Sequence, residues 1–365
     1  MCVIAGYSGT KRAAPILIEM LKKTEYMDGG LSTGIATIHN GVLYTRKVIG
    51  DVETLLKETD ALSLPGTTGI IHSRTDNNFL SHAHPFTSDD EQLALILNGT
   101  TRGTGNDEFY KFQNLLMNDF FDKGIKIKSA VPPYTTNPKR LLKNGLEYHD
   151  TEPYAHIIGE AVKNSSSQTI KRDIAKAARD SIEMLPIDII NLSVHSKLPD
   201  TITIATVSRP MSFGFGEDGT YLATCPIAFP EEIQNNPVYF LQPTTVAQAT
   251  PNGLEICYVG LKDTKVEQLT YKMAQRARNE MEKLLEGKKD APVSIYDMPF
   301  YKEWDDLWQK PLVESKYVLK DSKLKPFASC VYETLWSFHK EGRLGMTIGT
   351  KTDKPTEKIT RFWLE

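Results

Sequence analysis

The sequence predicts an α+β fold in which antiparallel sheets are covered by helices. β-rich runs gather at both ends of the first two thirds of the chain, and runs with helical spacing lie between them. Two β-rich runs are joined by Asn40-Gly41, and this dipeptide marks a tight hairpin because its residues readily adopt positive φ. Strands grouped in this way form antiparallel sheets, and the helices cover their faces.

The individual elements follow from periodicity. The first strand is CVIAGYS, and it precedes a helix over residues 13–26 in which Leu17 and Leu21 share an apolar face. Further strands are predicted at STGIATIH, GVLYTRKVI, TTGIIHS, QLALILNG, DTITIATVS, TYLATCP and within VYFLQPTTVAQATPNGLEICYV. Helices are predicted at TEPYAHIIGEAVKN and IKRDIAKAARDSIEML. Residues 100–148 are polar and irregular, and SAVPPYTTNPKR within them predicts an exposed loop or insertion.

The pattern changes near the end of the last of these strands, which divides the chain into residues 1–257 and 258–365. DTKVEQLTYKMAQRARNEMEKLLEG predicts a long amphipathic helix, with Thr264 and Glu267 as a capping box and Gly287 as its stop. A second helix, CVYETLWSFHKEG, precedes a hairpin, and this order resembles the end of a winged helix. The second region is therefore expected to be mainly helical.

Composition excludes several classes of protein. The chain has 43 Lys and Arg against 46 Asp and Glu, so no overall basic field favours nucleic acid or an anionic membrane. No window approaches the length of apolar sequence that a membrane span needs, and no basic region precedes the first apolar run. The four cysteines are scattered and form no CxxC or Cys/His cluster, so we expect no structural metal, disulfide framework or cofactor. A reducing, cytoplasmic location fits this pattern.

Four places in the sequence carry candidate chemistry, and each has a structural alternative. Cys2 is either a buried thiol at the start of a strand or, once Met1 is removed, a nucleophile that carries its own amine. Asn98-Gly99 after an apolar run is either a turn or an oxyanion-binding pair. Arg74 is either a surface charge or a carboxylate ligand, and Asp150 is either a helix N-cap or an ammonium ligand.

Eight segments in chain order share one resemblance. They are MCVIAGYSG, APILIEMLKKTEY, GVLYTRKVIGDVETL, GTTGIIHSR, AHP, LALILNG, DTEPYAHII and SFGFGEDGTYLATC. The series resembles the class II, N-terminal-nucleophile glutamine amidotransferases, and in particular the glutaminase domain of glucosamine-6-phosphate synthase. The resemblance covers roughly residues 1–257. It implies a four-layer α/β/β/α fold, followed here by the mainly helical C-terminal region.

The resemblance also implies a role for each candidate residue. Cys2 corresponds to the nucleophile, and its α-amine, with a pKa of about 7.7–8.0, is a suitable base near neutral pH. The Asn98 side chain and the Gly99 backbone N–H correspond to the oxyanion donors. Arg74 corresponds to the residue that binds the α-carboxylate of glutamine, and Asp150 to the residue that binds its α-ammonium.

The implied function is hydrolysis of the glutamine side-chain amide through a thioester on Cys2, with the ammonia passed to an unidentified acceptor. Because the sequence after residue 257 resembles no sugar-isomerase module, a separate acceptor synthase subunit is expected, and a homo-oligomer is left open. Two departures from the family pattern stand out: the segment after Arg74 is shorter, and residues 110–145 are extra. Two other functions remain open at this point, namely hydrolysis of another amide and a non-catalytic binding or regulatory role.

Overall fold

The computed structural model describes residues 2–76, 78–99, 105–266, 270–296, 313–318 and 327–365, with side chains from residue 330 onward in the last range. Among these residues, no helix combines the length and the apolar character that crossing a membrane would require.

Strands and helices follow one another along residues 2–259. The strands are β1 (Cys2–Gly9), β2 (Ser32–His39), β3 (Val42–Ile49), β4 (Thr68–Arg74), β5 (Phe86–Thr87), β6 (Leu93–Gly99), β7 (Ile189–His195), β8 (Leu198–Thr206), β9 (Ser212–Gly216), β10 (Gly219–Ala223), β11 (Val238–Phe240), β12 (Thr245–Thr250) and β13 (Gly253–Val259). The helices are α1 (Ala13–Asp28), α2 (Val52–Glu58), α3 (Asp107–Asp122), α4 (Glu152–Val162), α5 (Ile170–Met184) and α6 (Glu231–Gln234). The strands and helices predicted for this part are confirmed, and the hairpin between β2 and β3 turns at Asn40 and Gly41, whose φ angles are 50° and 74°.

Two antiparallel sheets stack face to face. One has seven strands in the order β11-β9-β10-β1-β4-β2-β3, and the other has six in the order β13-β12-β8-β7-β6-β5. Alternate residues of β1 show how both faces are used: Val3, Ala5 and Tyr7 pack toward α1, whereas Ile4 packs into the core between the sheets. In β6, Leu95 and Leu97 likewise pack toward α3, α4 and α5. Burial on both faces explains why these strands read as continuous apolar runs, and it confirms the α/β/β/α layering.

Part of the region from residue 100 to 148 is more ordered than the sequence predicts. Helix α3 begins after Asn106, whose side chain accepts a hydrogen bond from the Phe109 N–H at 2.9 Å. Phe109, Met117 and Phe120 of this helix are buried on the six-stranded sheet. The prediction of an irregular segment was therefore wrong for α3, because polar residues on its outer face obscured one apolar stripe.

The C-terminal region contains strands β14 (Lys265–Val266), β15 (Val293–Ser294), β16 (Val313–Glu314), β17 (Leu344–Thr350) and β18 (Lys358–Leu364) and helices α7 (Tyr271–Leu285) and α8 (Phe327–Lys340). The predicted helix followed by a hairpin is confirmed as α8, β17 and β18, and β15 extends that hairpin to three strands. The apolar faces of α7 and α8 form one core with Met27 of α1 and Cys225. The division at residue 257 stays a prediction, and β13 continues two residues beyond it.

The predicted start of α7 was wrong. Thr264 pairs with Leu261 in an isolated bridge, and the helix begins six residues later, where the Thr270 hydroxyl accepts a hydrogen bond from the Met273 N–H at 3.3 Å. Glu267, the other predicted member of the capping box, lies outside the described residues. Gly287 follows the end of the helix with a φ of 67°, which agrees with its predicted role as a stop.

Candidate active site

The five predicted site residues come together at adjoining strand ends. Cys2 begins β1, and its direct partner across the antiparallel ladder is Arg74, the last residue of β4. Cys2, Arg74, Gly99 and Asp150 line one cavity of about 490 Å³, and Asn98 reaches the backbone of Cys2 beside it. The register of β1 against β4, and the stacking of β6 beneath them, therefore create the site.

Cys2 agrees with both interpretations of its sequence position. Its side chain is 8% exposed in a strand, and it also lines the cavity. Burial raises the pKa of the Cys2 thiol, while the Arg74 guanidinium and a hydrogen bond from the backbone of Thr75 act in the opposite direction. Because the net shift is upward, the thiol is protonated at neutral pH and requires a base before it can act as a nucleophile.

Asn98 and Gly99 lie at the end of β6, so they do not form the turn that their dipeptide alone suggests. The Cys2 backbone nitrogen donates to Oδ1 of Asn98 at 3.1 Å, and the amide NH₂ of the same side chain is consequently the group left to donate to a substrate. Gly99 has a φ of 142°, and a Cβ atom there would lie 2.3 Å from the carbonyl oxygen of Asp188. Both the backbone conformation and the space require glycine at this position.

Arg74 lies in the cavity with both arms of its guanidinium engaged. Nη1 donates to the carbonyl oxygen of His82 at 2.9 Å, and Nη2 lies 3.1 Å from Oδ2 of Asp76. The side chain is largely buried, so the alternative of a plain surface charge was wrong. Asp76 is a residue that sequence reasoning missed, although its position two residues after Arg74 was a visible signal.

Asp150 also lies in the cavity and also has a cationic partner. Its Oδ2 is 3.2 Å from Nη1 of Arg140. The alternative of a helix N-cap was wrong, because α4 begins at Glu152 and Thr151 occupies the capping position. Burial lowers the pKa of the adjacent His149 well below its ordinary value, so that imidazole is neutral beside Asp150.

No family model matches this chain. The glutamine–fructose-6-phosphate aminotransferase of Pyrococcus horikoshii is 28% identical over 230 residues, which cover 61% of this chain and 32% of the relative. The enzyme of that name from Methanosarcina mazei is 26% identical over 277 residues, covering 74% of this chain and 40% of the relative. The chain thus spans about a third of the length of the curated relatives it matches, and the matched part is their glutaminase portion.

A solved amidotransferase structure shares the fold of this chain. The glutamine phosphoribosylpyrophosphate amidotransferase from B. subtilis, in complex with ADP and GMP, superposes with a TM-score of 0.54 at 18% identity. That superposition covers 83% of this chain and 64% of the other. The chain is a relative of the class II glutamine amidotransferases. The resemblance seen in the eight sequence segments is therefore confirmed, together with the N-terminal-nucleophile fold.

The segment that was predicted to be an exposed insertion contributes directly to the cavity. Tyr134 and Arg140, both within SAVPPYTTNPKR, line it. The prediction of an exposed loop was wrong for these two residues, although Pro132 and Pro133 are exposed. None of the eight segments that carry the amidotransferase resemblance includes Arg140, since it belongs to the extra sequence.

Four histidines surround the same amidotransferase-like site. The rings of His72 and His84 stack with their centroids 3.8 Å apart, and His82 and His149 lie next to them. Burial lowers the pKa of His72 to about 3 and that of His84 well below its ordinary value. His72 contacts the Leu97 carbonyl oxygen through Nε2 at 3.1 Å and so supports the strand that carries Asn98.

These histidines do not form a metal centre, since no suitable group of three His, Cys, Asp or Glu side chains occurs among the described residues. Their low pKa values make them neutral hydrogen-bonding groups that pack behind the cavity. The wide spacing of these histidines along the chain does not predict the cluster, because it forms only where β4, the segment after it and the segment before α4 meet.

Proposed function

We propose that this protein hydrolyses the side-chain amide of L-glutamine to glutamate and ammonia, with Cys2 as the nucleophile. Removal of Met1 exposes the α-amine of Cys2, which then takes the thiol proton directly or through a water molecule. The sulfur attacks the amide carbon, and the carbonyl oxygen acquires negative charge. The Asn98 NH₂ group and the Gly99 N–H donate hydrogen bonds to that oxygen.

The second half of the reaction restores the enzyme. The protonated α-amine returns its proton to the departing nitrogen as the C–N bond breaks, so that ammonia leaves and a thioester remains on Cys2. Water then attacks the thioester with the amine again as base, the same oxyanion donors act a second time, and glutamate is released. A base within the nucleophilic residue itself is needed here because burial lowers the pKa of the surrounding histidines, which makes them weak proton acceptors.

A single observation carries this proposal. The Cys2 backbone nitrogen lies 3.1 Å from Oδ1 of Asn98 while Cys2 and Gly99 line the same cavity. This arrangement brings the nucleophile, its base and both oxyanion donors within reach of one carbonyl group. A cysteine that served only to fill the core would need none of these neighbours.

We assign the ammonia to an acceptor synthase on a separate subunit, because ammonia released without an acceptor is lost to solvent. Residues 1–257 are proposed as the glutaminase domain. The C-terminal region packs on α1 through Met27, and Tyr296 hydrogen-bonds the Asp28 carboxylate at the end of that helix. Its proposed role is to support the helix that precedes β2.

Hydrolysis of another amide is the second candidate, and one observation favours it. Both charged groups assigned to glutamine already have partners, since Arg74 lies 3.1 Å from Asp76 and Asp150 lies 3.2 Å from Arg140. A substrate without an α-ammonium or α-carboxylate would leave these ion pairs undisturbed. Kinetics with glutamine analogues separate the two candidates.

The test combines the intact mass of the purified protein with an assay of ammonia and glutamate formation. We expect a mass that lacks Met1 and a glutaminase activity that disappears on alkylation of Cys2. A fully active preparation that retains Met1 would contradict the mechanism, because the α-amine would be tied up in a peptide bond. An N-terminally mature protein that releases no ammonia from glutamine would contradict the substrate.

A further inference from the structure

The loop segment that contains Arg140, residues 131–147, is closed at its base by backbone pairing. The Val131 N–H donates to the Glu147 carbonyl oxygen at 2.9 Å, and the Glu147 N–H donates to the Val131 carbonyl oxygen at 2.8 Å. The buried Glu147 side chain also accepts hydrogen bonds from the Tyr134 N–H and the Thr135 hydroxyl, both at 3.4 Å. The Glu147 carboxylate therefore ties the first residues of the loop segment to its last one.

The backbone on each side of Arg140 is held by one side chain of α3. Asn114 donates from Nδ2 to the Lys139 carbonyl oxygen at 2.9 Å and accepts at Oδ1 from the Leu141 N–H at 3.1 Å. The Tyr148 hydroxyl donates to the same oxygen at 2.7 Å and orients the amide. This clamp sets the point from which the Arg140 side chain enters the cavity.

The Arg140 guanidinium lies between two carboxylates. Nη1 is 3.2 Å from Oδ2 of Asp150, and Nη2 is 3.6 Å from Oε1 of Glu147. The exposed fractions of the three side chains are only 12%, 14% and 1% for Arg140, Asp150 and Glu147. The two carboxylates therefore share one guanidinium.

Removing the arginine would leave two carboxylates around one poorly solvated site. Like charges in that situation repel each other. Asp150 would then lose its fixed orientation. The arginine consequently holds Asp150 in place for a cationic ligand, even though it also repels that ligand.

We propose that Arg140 is a positioning residue that holds Asp150 for the α-ammonium of the substrate and so selects amides that carry an α-amine. This inference rests on the proposed glutaminase function and adds to it a determinant outside the amidotransferase motifs. The geometric basis is the clamp by Asn114 together with the shared contacts to Asp150 and Glu147. A residue that served only to support the fold would have no influence on which amide is preferred.

The test compares glutamine with glutaramate, which has the same amide and carboxylate but lacks the α-amine. For Arg140→Ala we expect kcat/KM for glutamine to fall by roughly tenfold to a hundredfold, mainly through KM. Activity on glutaramate should change by less than about threefold, since that substrate presents no ammonium to Asp150. Arg140→Lys should give an intermediate ratio of the two activities, because it keeps the charge without the two-armed geometry.

Two further variants serve as controls. Lys139→Ala removes the neighbouring exposed cation, which pairs with Asp107 outside the cavity, and it should leave both activities unchanged. Asp150→Asn should reproduce the loss of preference, and adding Arg140→Ala to it should lower the preference no further, because both changes remove the same interaction. Thermal unfolding of each variant monitors the fold, and Arg140→Lys provides the comparison if the alanine variant does not fold.

The outcomes separate the two proposals. If the wild-type protein hydrolyses glutamine and Arg140→Ala lowers both activities equally, or neither, the positioning role is wrong and the glutaminase function stands. If the wild-type protein hydrolyses glutaramate and not glutamine, the proposed function fails before any variant is considered. Additive losses in the double variant would likewise contradict the role of Arg140 in acting through Asp150.

Discussion

The two ends of the cavity are built in different ways. At the nucleophile end, Cys2, Asn98 and Gly99 lie at the ends of strands from the two stacked sheets, and a hydrogen bond from the Cys2 backbone nitrogen to the Asn98 side chain joins the sheets. At the charged end, Arg74 and Asp150 meet partners from irregular segments, Asp76 and Arg140. Strand register fixes the atoms that react, whereas loops set the charges that choose the substrate, so the charged end can diverge without disturbing the chemistry.

Substitution of the nucleophile at the first end of the cavity should have the largest effect on activity. Cys2→Ala should reduce glutamine hydrolysis by a factor on the order of 10⁶, to the limit of detection, because it removes the atom that forms the thioester. The change is small, and the thermal unfolding of the protein should stay close to that of the wild type. Steady-state ammonia release measures the effect.

A thiol that is more accessible than Cys2 is the control. Cys257 is half-buried on the edge strand β13, far along the chain from the site, and Cys257→Ala should retain full activity. A glutamine-analogue electrophile should label Cys2 alone, as mass spectrometry of the digested protein would reveal. Labelling of Cys225, Cys257 or Cys330 in its place would contradict the assignment of Cys2 as the nucleophile.

The next largest effect tests the oxyanion donor. Asn98→Ala should lower kcat for glutamine by roughly 10²- to 10³-fold with a smaller change in KM, since the lost hydrogen bond strengthens only as charge develops. Asn98→Asp keeps an oxygen that can accept from the Cys2 nitrogen but loses the NH₂ donor. If Asn98→Asp retained wild-type kcat, Asn98 would matter for holding Cys2 and not for the oxyanion.

Arg74 tests the charged end directly. Arg74→Ala should lower kcat/KM for glutamine by about tenfold to a hundredfold, chiefly by raising KM, because a charge-assisted hydrogen bond to the α-carboxylate is lost. Arg46→Ala is the control, since Arg46 makes a comparable pair with Asp60 on the exposed strand β3. Unchanged glutamine kinetics in the Arg74 variant would favour hydrolysis of another amide.

The smallest expected effect concerns Asp76, the carboxylate that pairs with Arg74. Asp76→Asn should lower KM for glutamine up to about fivefold, because a partly buried ion pair worth about 1 kcal/mol no longer competes with the α-carboxylate. Asp60→Asn, which removes the corresponding partner of Arg46, should leave KM unchanged. A higher KM in the Asp76 variant would mean that Asp76 orients Arg74 for the substrate and does not compete with it.

Much of the nucleophile end could be predicted because its signals are local. The apolar run after Cys2 and the run that ends in Asn98-Gly99 are each recognisable from a few neighbouring residues. Glycine at position 99 also has a strict local requirement, since its φ is 142°. The stacking of the two sheets then brings these ends together.

The charged end could be predicted only in part because its signals are not local. Arg140 and Asp150 are separated by ten positions and meet through the Asn114 clamp and the pairing of Val131 with Glu147. Polar, proline-containing sequence is typical of surface loops, and nothing in its composition distinguishes a loop whose arginine turns inward. The start of α7 was misplaced for a related reason, since Thr264 and Thr270 are both suitable caps and the short pairing of β14 with β16 lies between them.

By itself, the sequence determined the α+β class, many of the strands and helices in the first two thirds, and the five residues at which chemistry is expected. These features depend on periodicity, turn residues and motif order, which are properties of short stretches of chain. The sequence did not predict α3 or β7. Only the tertiary structure decided that Asp76 and Arg140 pair with Arg74 and Asp150, the two residues proposed to bind the substrate. It also decided that four histidines are buried and neutral behind them. Charge pairing and burial depend on distances across the fold, and a linear sequence does not carry those distances.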